Sequence, residues 1–146
     1  MVKLNYYEMV GFSIELLSKS VYHRRFNMNN YLQIEILPPI RKGQVKFYLD
    51  EKGMPIAMVT WAWLSDKTEK EVLSTGRALN ENEWCCGEKL FCNDWVTPFN
   101  NLRKVVHDIS TNVFPDQVGT SVRRNPDGSV RKINRWLGKN IRLAGK

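Results

Sequence analysis

Nowhere in the 146 residues does an apolar run approach the ~18–20 residues that a bilayer-spanning helix needs. The opening MVKLNYYEMVGFSIELL carries two glutamates where a secretory leader needs a bare apolar stretch, so a soluble, cytoplasmic protein without a membrane span is expected. Cysteine is scarce as well. Cys85 and Cys86 are adjacent and Cys92 is left over, which makes no disulfide framework. There is no CxxC pair, and the two histidines, His23 and His107, lie far from the thiols along the chain, so no zinc site is expected. Neither RxxGxG nor QxxGxG occurs, which removes the glycine-rich pyrophosphate cradle usual in acetyl-coenzyme A-dependent N-acetyltransferases. Repeats, low-complexity runs and Gly/Ser linkers are also missing. With 42% hydrophobic residues the chain reads as one domain, 1–146.

What the sequence has in excess is positive charge, and the excess is local. The net charge is +7. Residues 123–146 hold eight bases (Arg123, Arg124, Arg131, Lys132, Arg135, Lys139, Arg142 and Lys146) against one acid, Asp127, leaving fourteen of each sign in residues 1–122. A basic C-terminal segment on a neutral body is either a solvated tail or a landing surface for an acidic partner. Nucleic acid is a poor fit, because Trp136 is the segment's single aromatic and no nucleic-acid motif is present.

Periodicity outlines the elements. Tyr6, Val10, Ile14 and Leu17 recur at helical spacing, predicting a first helix that ends near Ser18–Ser20. The polar stretch SKSVYHRRFNMNN places His23 on a connection. YLQIEILPPI is either a strand or a short helix, which Pro38 and Pro39 end or kink. QVKFYLD and PIAMVTWAWL, separated by EKGM, predict a hairpin. Ser65 or Asp66 caps a helix running toward Leu79, with Glu69 and Glu71 in its first turns. KLFCNDWV predicts a central strand whose alternation puts Asp94 on the same face as Leu90, Cys92 and Val96. A carboxylate on such a face costs several kcal/mol unless it is partnered, so Asp94 calls for a partner. Asn100 caps a helix striped by Leu102, Val105, Val106, Ile109 and Val113, and two strands flank the turn NPDG. The fold class is α/β, a mixed sheet flanked by helices.

Taken one at a time, the candidate chemical groups say little. His23, beside Arg24 and Arg25, reads as a solvated side chain, and His107 lies off the apolar stripe of its helix. A Cys92–His23 nucleophilic pair is conceivable by residue type, but buried structural thiols are commoner. Trp61, Trp63 and Trp95 sit at strand spacing and read as core.

Taken together in order, several short motifs carry more. Gly11, SVYHR with Ser20 and His23, ILPPI at 36–40, PIAMVTWAWLS, DWVTPF from Asp94 to Phe99, and FPD at 114–116 occur at near-family spacing. In these the chain resembles the RTX-toxin-activating lysine acyltransferases. It departs from that pattern at Asn100, where relatives tend to carry glycine, in a shorter C-terminal part, and around Trp136–Lys139. The resemblance implies a fold similar to the GCN5-related N-acetyltransferases. It implies an acyl-acyl-carrier-protein donor with no separate cofactor, an RTX protoxin as acceptor, and catalytic roles for His23, Asp94 and Ser20. It leaves a homodimer open. The chemistry fits such residues: a lysine of pKa near 10.4 is only about 0.04% neutral at pH 7, so attack on a thioester needs a base, and histidine is the natural one.

Overall fold

The computed structural model describes residues 3–145. Its centre is a five-stranded sheet in the order β1-β2-β3-β4-β5: β1 Val45–Leu49, β2 Pro55–Leu64, β3 Lys89–Val96, β4 Val118–Arg124 and β5 Val130–Leu137. All neighbours are antiparallel except β3 and β4, which run parallel. Parallel neighbours require a crossover, here the helix α5 (Leu102–Asp108), which a wider turn extends over Ile109–Val113. The α/β expectation and the hairpin are both found, and the mixed sheet with helices on its faces is compatible with the fold of GCN5-related N-acetyltransferases.

Alternation along β2 divides the core between two faces. On one face, Met58 joins Leu16, Leu17, Ile36, Ile40 and Val96, while Ala62 and Leu64 join Val72, Leu79, Trp84 and Phe91. On the other, Ala57, Val59 and Trp61 meet Leu90, Val105 and Ile109. Full burial of each Val, Leu, Ile, Phe or Met side chain among these is worth ~1.5–3 kcal/mol. The first face is covered by α1 (Tyr6–Lys19), α3 (Leu37–Arg41) and α4 (Asp66–Thr75), the second by α5.

Helix α1 starts with a capping box: Glu8 N donates to Asn5 Oδ1 (2.8 Å) and Asn5 N to Glu8 Oε1 (3.0 Å). It ends at the cap residue Ser20, inside the expected interval, and one tight turn, His23–Arg25, follows. YLQIEILPPI is helical. The short helix α2 (Met28–Tyr31) passes through a widened turn, Leu32–Ile36, into α3. The prolines do not end it. They occupy the first turn of α3, where a missing N–H is tolerated, and the ladder widens just before them, with Leu37 N donating to Leu32 O.

Three other expectations are corrected. Helix α4 stops at Thr75 and not near Leu79, because Gly76 takes φ +73° and closes the helix in the left-handed region. Asn100 does not cap α5. It adopts φ +59°, a conformation that asparagine and glycine tolerate best, and Asn101 takes the cap position without a capping hydrogen bond, its Nδ2 donating instead to Ile56 O at 3.1 Å. The two strands expected around NPDG are found as β4 and β5, but the basic residues beyond them are not a plain tail, since Lys139–Ala144 forms a short helix, α6.

Candidate active site

The site grows out of an irregularity in β3. Thr60 of β2 pairs with Asp94, but its neighbour Trp61 pairs with Cys92, so Asn93 is an extra residue, a β-bulge. Strict alternation would place Asp94 beside Leu90 and Cys92. The bulge instead turns it to the face of Thr60, Phe91 and Val96, under α1 and α2, which corrects the sequence expectation. A second irregularity sits next to it. β3 and β4 pair only at Leu90–Gly119 and Phe91–Thr120, and beyond these they part. The parting forms a cleft of about 830 Å³ with Asn93, Asp94 and Trp95 on one wall and Ser121, Arg123 and Arg124 on the other.

His23 enters this cleft from the turn that follows α1. It is buried, 3% exposed, and not the solvated side chain its polar neighbours suggested. Its Nε2 lies 2.8 Å from Asp94 Oδ1, and its Nδ1 lies 2.5 Å from Ser20 Oγ. Asp94 is the acceptor of the first contact, so Nε2 carries the proton there and Nδ1 is free to accept from the serine hydroxyl. The local geometry is simple: Ser20 caps α1, and the tight turn returns the chain so that residue i+3 meets it. His23 N also approaches Ser20 Oγ at 3.4 Å. All three residues singled out from the sequence are therefore brought together, and Asp94 has the partner that its position demanded. The ring of Tyr22 packs edge-on against His23 at 5.0 Å, and Tyr31 does so at 5.5 Å.

Tyr31 was not singled out from the sequence. Its hydroxyl donates to the other carboxylate oxygen, Asp94 Oδ2. Burial, followed by the Asp94 charge, pushes the Tyr31 phenol well above its ordinary value, so it stays a donor. Glu35, one helical turn further along, is also buried, and its Oε2 accepts from Asn93 Nδ2 at 3.2 Å. Burial, then the neighbouring Asp94, raises the Glu35 carboxyl, favouring its neutral form. The signal for both lay in YLQIEI: read as a helix, its i,i+4 spacing puts Tyr31 and Glu35 on one face.

The alternatives fall away on geometry. Cys92 points to the opposite face beside Trp136, and burial pushes its thiol up to about 12, so it is neither near His23 nor ionised. His107 is exposed on α5. Among the described residues, no group of three or more His, Cys, Asp or Glu side chains could hold a metal ion, and no helix is long and apolar enough to cross a membrane. A hydroxyl, imidazole and carboxylate in line, buried at the side of an open cleft, can accept a proton from a nucleophile and stabilise the resulting imidazolium.

Comparison with known proteins agrees on one chemistry. The model of the RTX toxin acyltransferase family matches residues 2–137. The lysine-acyltransferase RtxC of Vibrio cholerae is 34% identical over 115 residues, covering 79% of this chain and 74% of that protein. The RTX-I toxin-activating lysine-acyltransferase ApxIC of Actinobacillus pleuropneumoniae is 31% identical, covering 99% and 83%. The protein-lysine myristoyltransferase HlyC of Escherichia coli is 28% identical, covering 92% and 75%.

Proposed function

The chain belongs to the RTX toxin acyltransferase family and is an acyltransferase, and from that premise we propose that it moves a fatty acyl group from an acyl-carrier-protein thioester to internal lysines of an RTX protoxin. The transfer takes place in the cytoplasm, needs no cofactor beyond the donor, and activates the toxin. The observation that carries this reading is the Ser20–His23–Asp94 line opening on a cleft between two parted strands.

The acceptor lysine gives up its ammonium proton to solvent to become a nucleophile, and as its nitrogen bonds to the acyl carbon the amine sheds a second proton. His23 takes it at Nδ1, relayed through the Ser20 hydroxyl 2.5 Å away. Asp94 accepts from Nε2–H, holding the ring in this tautomer and stabilising the imidazolium, and Tyr31 fixes the carboxylate from its other oxygen. The lysine nitrogen bonds to the thioester carbon, the C–S bond breaks, and the imidazolium returns its proton to the departing thiol. The same short Ser20–His23 contact also supports a second route in which Ser20 itself takes the acyl group before lysine does.

The arginines of β4 and β5 on the cleft wall, Arg123, Arg124, Arg131 and Arg135, suit a polyanionic carrier. Raising salt should therefore increase the Michaelis constant for the carrier; a salt-independent constant would remove this role.

Mass spectrometry of a lysine-containing RTX protoxin fragment, incubated with acyl carrier protein and either wild type or His23→Ala, tests the whole. Acyl-lysine formed by wild type and lost in the variant supports reaction and base together. No adduct across several donors and protoxins would overturn the reading. Ser20→Ala separates the routes: a slowed reaction fits the relay, and complete loss with an acyl-serine trapped in wild type fits the covalent route.

A further inference from the structure

A second, smaller groove of about 290 Å³ opens off the catalytic cleft, and Tyr22, Tyr31 and Arg124 line both. It runs between the helical segment after His23 and the loop after α4, with Phe26, Ile34, Gly76 and Ala78 along its sides and Glu35 at its floor. Its walls are mainly apolar, with Asn27, Asn30 and Arg124 as the polar side chains beside Glu35. Ile34 is 44% exposed, and the Phe26 and Tyr31 rings stack at 5.2 Å to make a flat face. The Arg25 guanidinium caps the outer side of the same aromatic group, 4.4 Å over Tyr22. The main cleft mixes apolar side chains such as Trp95, Leu102 and Val106 with five arginines, Asn93 and Asn134, so it is the more polar of the two.

We propose that this side groove holds the distal part of the donor's straight acyl chain, so that its depth sets the chain length the enzyme prefers. The inference rests on the fatty-acyl transfer proposed above and adds the place where the chain lies. Three observations converge on it. The groove is continuous with the cleft at the two tyrosines that flank His23, so a chain whose thioester carbon faces the imidazole enters it directly. Its volume is close to the lower bound of ordinary small-ligand sites, about 300 Å³, which suits a slender occupant. Its one buried acid, Glu35, has its carboxyl raised by burial, and a neutral carboxyl repels an alkane far less than a carboxylate does. Each methylene buried there strengthens binding about four-fold, so a groove of fixed depth discriminates between chains that fill it and chains that do not.

Photocrosslinking tests the placement. The full chain is mixed with an RTX protoxin fragment and a carrier-protein donor whose acyl chain ends in a diazirine. One portion stays dark and is assayed for acyl-lysine; the other is irradiated and its adducts are mapped by mass spectrometry. Adducts on Phe26, Ile34 or Ala78 support the groove. Adducts confined to Asn134, Arg135 or Trp136 across the cleft overturn it, even when acyl-lysine forms in the dark portion and the transfer reading stands. Absence of acyl-lysine with every donor removes both. Independently, Ala78→Trp narrows the groove from an exposed position and should lower the ratio of kcat/KM for palmitoyl over octanoyl donor about ten-fold. An unchanged ratio, including equal losses with both donors, would also overturn the proposal.

Discussion

Two carboxylates, each held by a tyrosine hydroxyl, lie on opposite faces of the sheet. Asp108, at the end of α5, accepts from Tyr48 (2.5 Å), Lys46 Nζ (2.6 Å) and Asn112 (2.8 Å). Asp94 accepts from Tyr31 and from His23. The difference lies in the remaining partner. Lys46 is a fixed charge near the surface, and although burial alone would push the Asp108 carboxyl up, the hydrogen bonds from Lys46, Tyr48 and Asn112 hold it down at about 2. Such a carboxylate is locked in one state and serves the fold. Asp94 is paired with an imidazole that the proposed transfer protonates and deprotonates in each turnover, so its surroundings carry two charge states of the pair. One arrangement stores stability; the other keeps a reaction available.

Substitutions should separate the two. The largest effect is expected from His23→Ala or Asp94→Asn, which should lower acyl-lysine formation by ~10²–10⁴ with folding retained, as read by the transfer assay beside a denaturation curve. Asp108→Asn should do the reverse, removing about 1–3 kcal/mol of stability while transfer persists. The pH dependence sharpens that contrast. A depressed carboxyl contributes stability that is present above its unfolded value, 3.8, and lost as pH falls through about 2. The gap between wild type and Asp108→Asn should therefore close across that window. Tyr31→Phe should slow transfer about ten-fold, the worth of one hydrogen bond to a charged group, mainly in kcat and with an altered pH profile. A pure stability loss with unchanged kcat would move Tyr31 to the structural class.

Glu35→Gln should give the smallest change, with the opposite sign from Asp108. A raised carboxyl contributes stability that is complete below its unfolded value and lost as pH rises through the folded one. The variant should thus gain on wild type as pH increases toward neutral. An advantage that instead grows toward acid would contradict a neutral Glu35.

Much of this was legible in the residues. Alternation in VKFYL and PIAMVTWAWL announced the β1–β2 hairpin, and the apolar stripes announced α1 and α5. Asp94 was recognisable as a buried acid in need of a partner. The partner itself was not, because His23 is 71 residues away and its own neighbours are charged. YLQIEILPPI stayed undecided because ten residues fit both periods, and with it went Tyr31 and Glu35. The bulge at Asn93 depends on backbone geometry that residue type alone does not encode.

That bulge makes the site a matter of counting. Side chains on a strand follow odd and even positions, and Asn93 adds one to the count between Phe91 and Asp94. Were Asn93 to pair with Thr60 as regular alternation asks, every side chain of the Ser20–His23–Asp94 line would stay chemically intact, yet the carboxylate would be aimed at the far side of the sheet, toward Trp136. Excising Asn93 would instead make the pairing regular and leave the aspartate opposite Thr60, two residues after Phe91. The unpaired place of Asn93 on β3 therefore belongs to the active site as much as the aspartate does.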